Sequence, residues 1–223
     1  MASSHSNLVV TRIAGRTLLT VRGPETRATP ALAPPDAEFT GILFKPGTFL
    51  PLLPSKTVMD RRDVTLPDAS SQSFWLHGSS WQFPDFDNVE TFVDWLARDG
   101  VLIHDPVAPA VLKGEPPPMS QRSLQRRLVQ ATGLTQSAIR QIERARYATS
   151  LLRQGVSILD TIFEAGYFDQ PHLTRSLRHF VGLTPAQILN PNRPERLSFL
   201  YKTASPWLKD NMSVQSTTKG DVA

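Results

Sequence analysis

Residues 157–188 read SILDTIFEAGYFDQPHLTRSLRHFVGLTPAQI, and the second part of that stretch has an echo earlier in the chain. Residues 121–139, QRSLQRRLVQATGLTQSAI, recur in altered form 49 positions later, at 170–188, with eight identities in nineteen aligned positions. The shared residues are Gln121/Gln170, Leu124/Leu173, Arg126/Arg175, Leu128/Leu177, Gly133/Gly182, Leu134/Leu183, Thr135/Thr184 and Ile139/Ile188. Chance gives roughly one or two, so one structural unit is present twice, which is too few copies for a solenoid. Each copy reads as a short helix opened by a capping side chain, Ser120 or Asp169. Each is closed by glycine and restarted at a threonine cap.

The second copy carries the fuller pattern of helix, turn and helix. Ile158, Ile162 and Ala165 line the inner face of the first helix, Gly166 supplies a left-handed turn position, and Leu173, Leu177 and Phe180 face them. Pro171 falls in the first turn of the second helix, where its missing N–H costs little. The opposite face bears Gln170, His172, Thr174, Arg175 and Arg178, beginning at the helix end that a helix-turn-helix protein inserts into the major groove. Arg175 suits guanine O6 and N7, Gln170 suits adenine, and Thr174 or His172 suits a base edge or a phosphate. In the first copy Arg122, Gln125 and Arg126 occupy the equivalent face, with Gln121 near the cap. A solvated polar face accounts for any one of these residues, but less well for two matching faces. Between the copies a helix is expected from a Thr135 cap to Gly155, with Ile139, Ile142, Ala145, Ala148, Leu151 and Leu152 buried. Its roughly 19 residues span about 28 Å. With flanking turns, that approaches the roughly 34 Å between successive major grooves.

Charge is divided along the chain. The formal net charge is +4. Residues 1–119 hold 10 basic against 13 acidic residues, residues 120–196 hold 11 against 5, and the tail holds 3 against 2. All eleven basic residues of the repeated region are arginine, which favours bidentate recognition of phosphates or guanine edges; a solvated basic face is the plain alternative. Hydrophobic content of 40% and charged content of 20% are those of a globular protein. No apolar run reaches membrane-span length, and MASSHSNLVV lacks the pattern of a signal peptide. Cysteine is absent, which excludes disulfides, thiolate metal sites and cysteine nucleophiles. A cytoplasmic location is expected.

The fold class expected is α+β. Runs LVVTRI, TLLTVRG and FTGILFKPG within residues 8–75 read as a small antiparallel sheet or barrel. Fourteen of the nineteen prolines lie between 24 and 118, which disfavours helices before about residue 88. Asn88 is then placed to cap VETFVDWLARDG, with Val89, Phe92, Val93 and Leu96 on one face. A second short helix is expected over 106–113, and the prolines at 116–118 mark a candidate boundary. The division is a β-rich sensor or dimerisation domain at 1–105, a connection at 106–118, a helix-turn-helix domain at 119–196 and a disordered tail at 205–223.

Residues 120–190 resemble the C-terminal DNA-binding domain of the AraC/XylS family of bacterial transcription regulators. GYFDQPHLTRSLRHFVGLTP matches its second-unit signature at Gly166, Tyr167, Asp169, Leu173, Arg175, Phe180, Gly182, Thr184 and Pro185. The first unit matches at Ser120, Leu124, Arg126 and Gly133, and Arg146, Ala148, Leu151 and Leu152 fit the linker pattern. The resemblance covers about a third of the chain. It implies recognition helices over 121–131 and 170–181, a double-stranded promoter or operator as partner, RNA polymerase and a second copy as further candidate partners, and an effector of unspecified chemistry. It also implies a sensor half, often a cupin-like barrel. The chain departs from the family at PAVLKGEPPPMS, where three prolines leave a short, displaced helix ahead of the first recognition helix.

Other classes fit less well. No catalytic residue, cofactor or metal site is expected: His5, His77 and His104 are scattered, no H-x-H pair occurs, and His104 beside Asp105 has no serine elbow, phosphate loop or zinc signature with it. His77 with Trp75 and Trp81 reads as core more readily than as a pocket lining. A methyl-accepting repair regulator needs cysteine. RNA binding or a protein-interaction adaptor remains as the alternative, since basic helices serve both, and a small soluble enzyme ranks behind them.

Overall fold

The computed structural model describes residues 1–29, 36–60 and 63–190 in full and the backbone of 214–217. The three apolar runs of the first half become β1 (Asn7–Ile13), β2 (Arg16–Arg22) and β3 (Glu38–Leu43). Ala14 and Gly15, both at positive φ (47° and 75°), make the two-residue turn that matches strand twist, so β1 and β2 pair antiparallel with Leu8 opposite Val21 and Val10 opposite Leu19. Strand alternation then puts Leu8, Val10, Leu19, Val21 and Ile42 into the core. β3 pairs with the free edge of β1, and β5 (Val64–Thr65) extends β2.

A second, three-stranded sheet comprises β6 (Asp68–Ser70), β7 (Ser73–Leu76) and β8 (Ser79–Gln82). The helix α1 (Val89–Arg98) buries Val89, Phe92, Val93 and Leu96, as its spacing predicts, and Phe92 meets Phe74 and Trp81 edge-on. Trp81 is core, with its indole N–H donating to the Leu76 carbonyl (2.9 Å), whereas Trp75 is exposed and His77 sits in the turn at φ 54°. β4 (Thr48–Phe49) and β9 (Ile103–His104) form a two-stranded ladder where the chain leaves for the helices. Among the described residues the strands make three open sheets and no closed barrel, being short and divided by prolines.

The rest is helical: α2 (Val107–Lys113), α3 (Gln121–Thr132), α4 (Gln136–Arg153), α5 (Ile158–Glu164), α6 (Gln170–Phe180) and α7 (Pro185–Leu189). The short helix expected before the first recognition helix is α2, and it packs against α3. Val107, Ala108 and Val111 of α2 share one apolar cluster with Leu124 and Leu128 of α3, because the proline run only lengthens the connection and leaves the apolar face of α2 intact. No helix among the described residues is long and apolar enough to cross a membrane. Of the tail at 205–223, expected to be disordered, residues 214–217 form a strand, β10 (Val214–Thr217), against the edge of β3. Its β-branched ends suit such an edge, and the remainder lies outside the described residues, as do 191–196.

Candidate nucleic-acid interface

Side-chain caps start the helices of this region at the residues their chemistry favours. Ser120 accepts from the Ser123 amide (3.3 Å), Thr135 from Ala138 (3.2 Å), Ser157 from Asp160 (3.1 Å) and Asp169 from His172 (2.7 Å). Thr184 and Gln187 form a reciprocal capping box. Each helix of the repeat is preceded by a shorter one, α2 before α3 and α5 before α6, and α4, with 18 residues and so about 27 Å of length, joins the pairs.

The apolar cores of the pairs are distinct. Ile139 and Ile142 of α4 pack with α2 and α3, whereas Ala145, Ala148, Leu151 and Leu152 pack with Tyr167, Leu173 and Leu177. Leu124 and Leu128 point α3 inward, and Leu173 and Leu177 do the same for α6. The outward faces are therefore fixed by the repeat itself. Gln121, Arg122, Gln125 and Arg126 are exposed on α3, and Gln170, Arg175 and Arg178 on α6. Thr174 is half-buried. His172 is also half-buried, its ring set edge-on against Tyr167 with centroids 5.1 Å apart, so it supports the turn as much as it faces solvent. Arg122, Arg126, Arg175 and Arg178 make no ion pair with another described residue. Exposed guanidiniums without such a pair can take phosphates or base edges.

Several residues matter here that their sequence context did not single out. Arg127, next to the outward Arg126, turns to Asp105 in a two-pronged pair (Nε to Oδ2 2.8 Å, Nη2 to Oδ1 2.9 Å). Asp105 also accepts from the Val107 amide (2.8 Å) at the start of α2. The His104 and Asp105 pair is thus structural, with His104 Nδ1 3.0 Å from the Thr48 hydroxyl. Arg144 lies over the Tyr167 ring, 4.7 Å from its centroid, and the Tyr167 hydroxyl bonds the Ser176 hydroxyl (2.9 Å). Burial pushes the Tyr167 hydroxyl pKa above its ordinary value, against the opposing effects of Ser176 and Arg144. The linker residue that braces the second turn is therefore Arg144, whereas Arg146 donates to the Ala2 carbonyl (3.2 Å).

The first residues of the chain lie against α4. Ala2, Ser4, His5, Ser6 and Asn7 are all buried, and the Ser4 hydroxyl donates to Glu143. His5 is held neutral, its pKa lowered to about 4 chiefly by burial, with Glu143 opposing the shift and Arg146 adding to it. A cleft of about 460 Å³ opens between the end of α2 and α4, lined by Leu112, Lys113, Ile139, Arg140 and Glu143. Among the described residues no group of three or more His, Asp or Glu is placed to hold a metal ion.

Residues 118–190 match the family model described as a helix-turn-helix domain. No curated protein and no solved structure matches the chain. The match spans α3 through α7 and takes in both copies of the repeat, so the basic half of the chain contains a helix-turn-helix domain of the kind that binds DNA in transcription regulation.

Proposed function

We propose that the chain is a sequence-specific transcription regulator of the AraC/XylS type, which reads adjacent major grooves with α3 and α6. The observation that carries this reading is the pair of matched outward faces, with Arg126 and Arg175 exposed at the same position of the repeated unit on helices joined by a linker about 27 Å long. Gln170 and Arg175 are the principal base readers of α6, with Thr174 and Arg178 on edges or phosphates and His172 in a partly supporting role. Gln121, Arg122, Gln125 and Arg126 do the equivalent work on α3. The β-rich half serves as the sensor or dimerisation module, and operator DNA, RNA polymerase and a second copy are the partners.

Selection of bound duplexes from a random pool tests this directly. Two short elements about one helical turn apart are expected in the recovered sequences. Binding to them should weaken linearly in log salt as arginines release counterions from phosphates. Arg175→Ala should cost about 1 to 3 kcal/mol and relax preference at one position of one element. Recovery of no common sequence, or an Arg175→Ala profile identical to the parent's, would count against base reading by α6.

A further inference from the structure

Equivalent carbonyls at the ends of α3 and α6 are held by the β-rich half. The last turn of a helix leaves carbonyl oxygens without a partner of their own. In α6 two of them are taken: the Ala2 amide donates to the Phe180 carbonyl (2.6 Å) and the Ala28 amide to that of His179 (2.9 Å). In α3 the Ser55 hydroxyl donates to the Ala131 carbonyl (3.4 Å) and itself accepts from the Ser6 hydroxyl (3.2 Å). Ala131 and Phe180 stand 49 positions apart, the offset of the repeat, so both contacts fall on the same position of the unit. The glycines just beyond are matched as well. A β-carbon on Gly133 would lie 3.1 Å from the backbone of Ser55 and Lys56, and one on Gly182 would lie 3.2 Å from the Ala28 β-carbon.

Residues 2–6 join the two places. They run beside α4 in the opposite direction, with the Ala2 carbonyl on Arg146, the Ser4 hydroxyl on Glu143 and Ser6 reaching α3 through Ser55. Each pair packs on its own half of the connecting helix, which leaves bending of that helix between the halves as the freedom between the pairs. The separate apolar clusters of the two pairs, with only Phe180 packed against both, do not remove that freedom. A second tie beside the helix does. We propose that residues 2–6 act as a strap that fixes the separation of α3 and α6, and so makes the base-pair spacing between two DNA elements part of what the chain recognises. Ser4, Ser6 and Ser55 are positioning residues in this scheme and touch no DNA. The spacing consequence rests on the two-groove reading above, whereas the strap itself does not.

The absence of cysteine allows a test that needs no DNA, because two introduced cysteines are the only sites for spin labels. Gln130→Cys on α3 and Glu164→Cys on α5, both exposed, place one label on each pair. A single narrow distance is expected in the parent background. Ser4→Glu sets a carboxylate against Glu143 and should broaden the distribution, and adding Glu143→Gln should narrow it again. Ser55→Ala, a milder change at the α3 end, should broaden it too if Ser4→Glu fails to fold. A folded strap variant with the parent's distance width overturns the strap.

The second arm uses duplexes carrying both selected elements, with their spacing changed by two base pairs. The parent should lose about 30-fold in affinity and Ser4→Glu less than about 3-fold, while both bind a one-element duplex within about 2-fold of each other. An equal spacing penalty in the two proteins overturns the spacing role. A parent that bound no duplex would sink the DNA reading and the spacing role with it, and the label distances would still decide the strap.

Discussion

Arg126 and Arg127 are neighbours with opposite assignments. Arg126 points outward without an ionic partner among the described residues, and Arg127 is folded onto Asp105, which is only 14% exposed and also accepts from the Val107 amide at the start of α2. Arg126→Ala should leave stability within about 0.5 kcal/mol of the parent and weaken duplex binding, since it removes a charge that holds nothing inside the molecule. Arg127→Ala should lower stability by about 1 to 3 kcal/mol, because it strands a largely buried carboxylate. Urea unfolding beside duplex titration separates the two. Equal stability losses at both positions would contradict the assignment. Spacing alone does not distinguish these arginines, since the division depends on Asp105, 22 residues away and brought back by β9 and α2.

Among the elements, the turns divide by what surrounds them. Gly166 and Gly133 both take positive φ, at 67° and 76°, but a β-carbon on Gly166 meets open space, whereas one on Gly133 meets the backbone of Ser55 and Lys56. Gly166→Ala should therefore cost about 1 to 2 kcal/mol, the expense of a left-handed alanine. Gly133→Ala should cost more, because backbone must move as well, and chemical denaturation of the two variants checks the order. Equal losses would mean that the close approach of the β-rich half to α3 is easily relieved.

The elements also divide by what their sequence disclosed. The caps at Ser120, Thr135, Asp169 and Thr184, the strand character of β1 and β2 and the buried face of α1 were all legible, because each depends on residues within a few positions of one another. The seating of α2 was not, since a proline run reads as disruption even where it only lengthens a loop. Nor was the role of MASSHS. Small and hydroxyl residues carry no periodic signal, and their partners are spread over 25, 44, 55, 143, 146 and 180.

On the scale of the whole molecule, burial of His5 makes stability depend on acid. The unfolded chain protonates this histidine near its ordinary value of 6.5, while the folded chain refuses the proton until about pH 4. Stability should then fall as pH drops from about 6.5 to 4 and level off below, the full loss being on the order of 3 kcal/mol. Above that window the contribution is fully present. His5→Asn should flatten the dependence measured by urea unfolding at several pH values. An unchanged slope would mean that the imidazole is not sealed against α4 as its surroundings indicate.

Order of synthesis gives residues 2–6 a further consequence. Ser4 and Ala2 are bonded to Glu143 and Arg146, which lie 139 and 144 positions later in the chain. At roughly 5 to 20 residues per second, a ribosome that has made Ser4 needs on the order of 7 to 28 seconds to reach Glu143. β1 and β2 can pair during that interval, and Ser3 and Ser6 can meet Glu25 and Phe44, but the Ala2 carbonyl and the Ser4 hydroxyl wait in water for α4. The helical region thus gains its contacts with residues 2–4 only after most of the chain exists, so a nascent chain that has already made α3 still lacks the bonds to Glu143, Arg146 and Phe180.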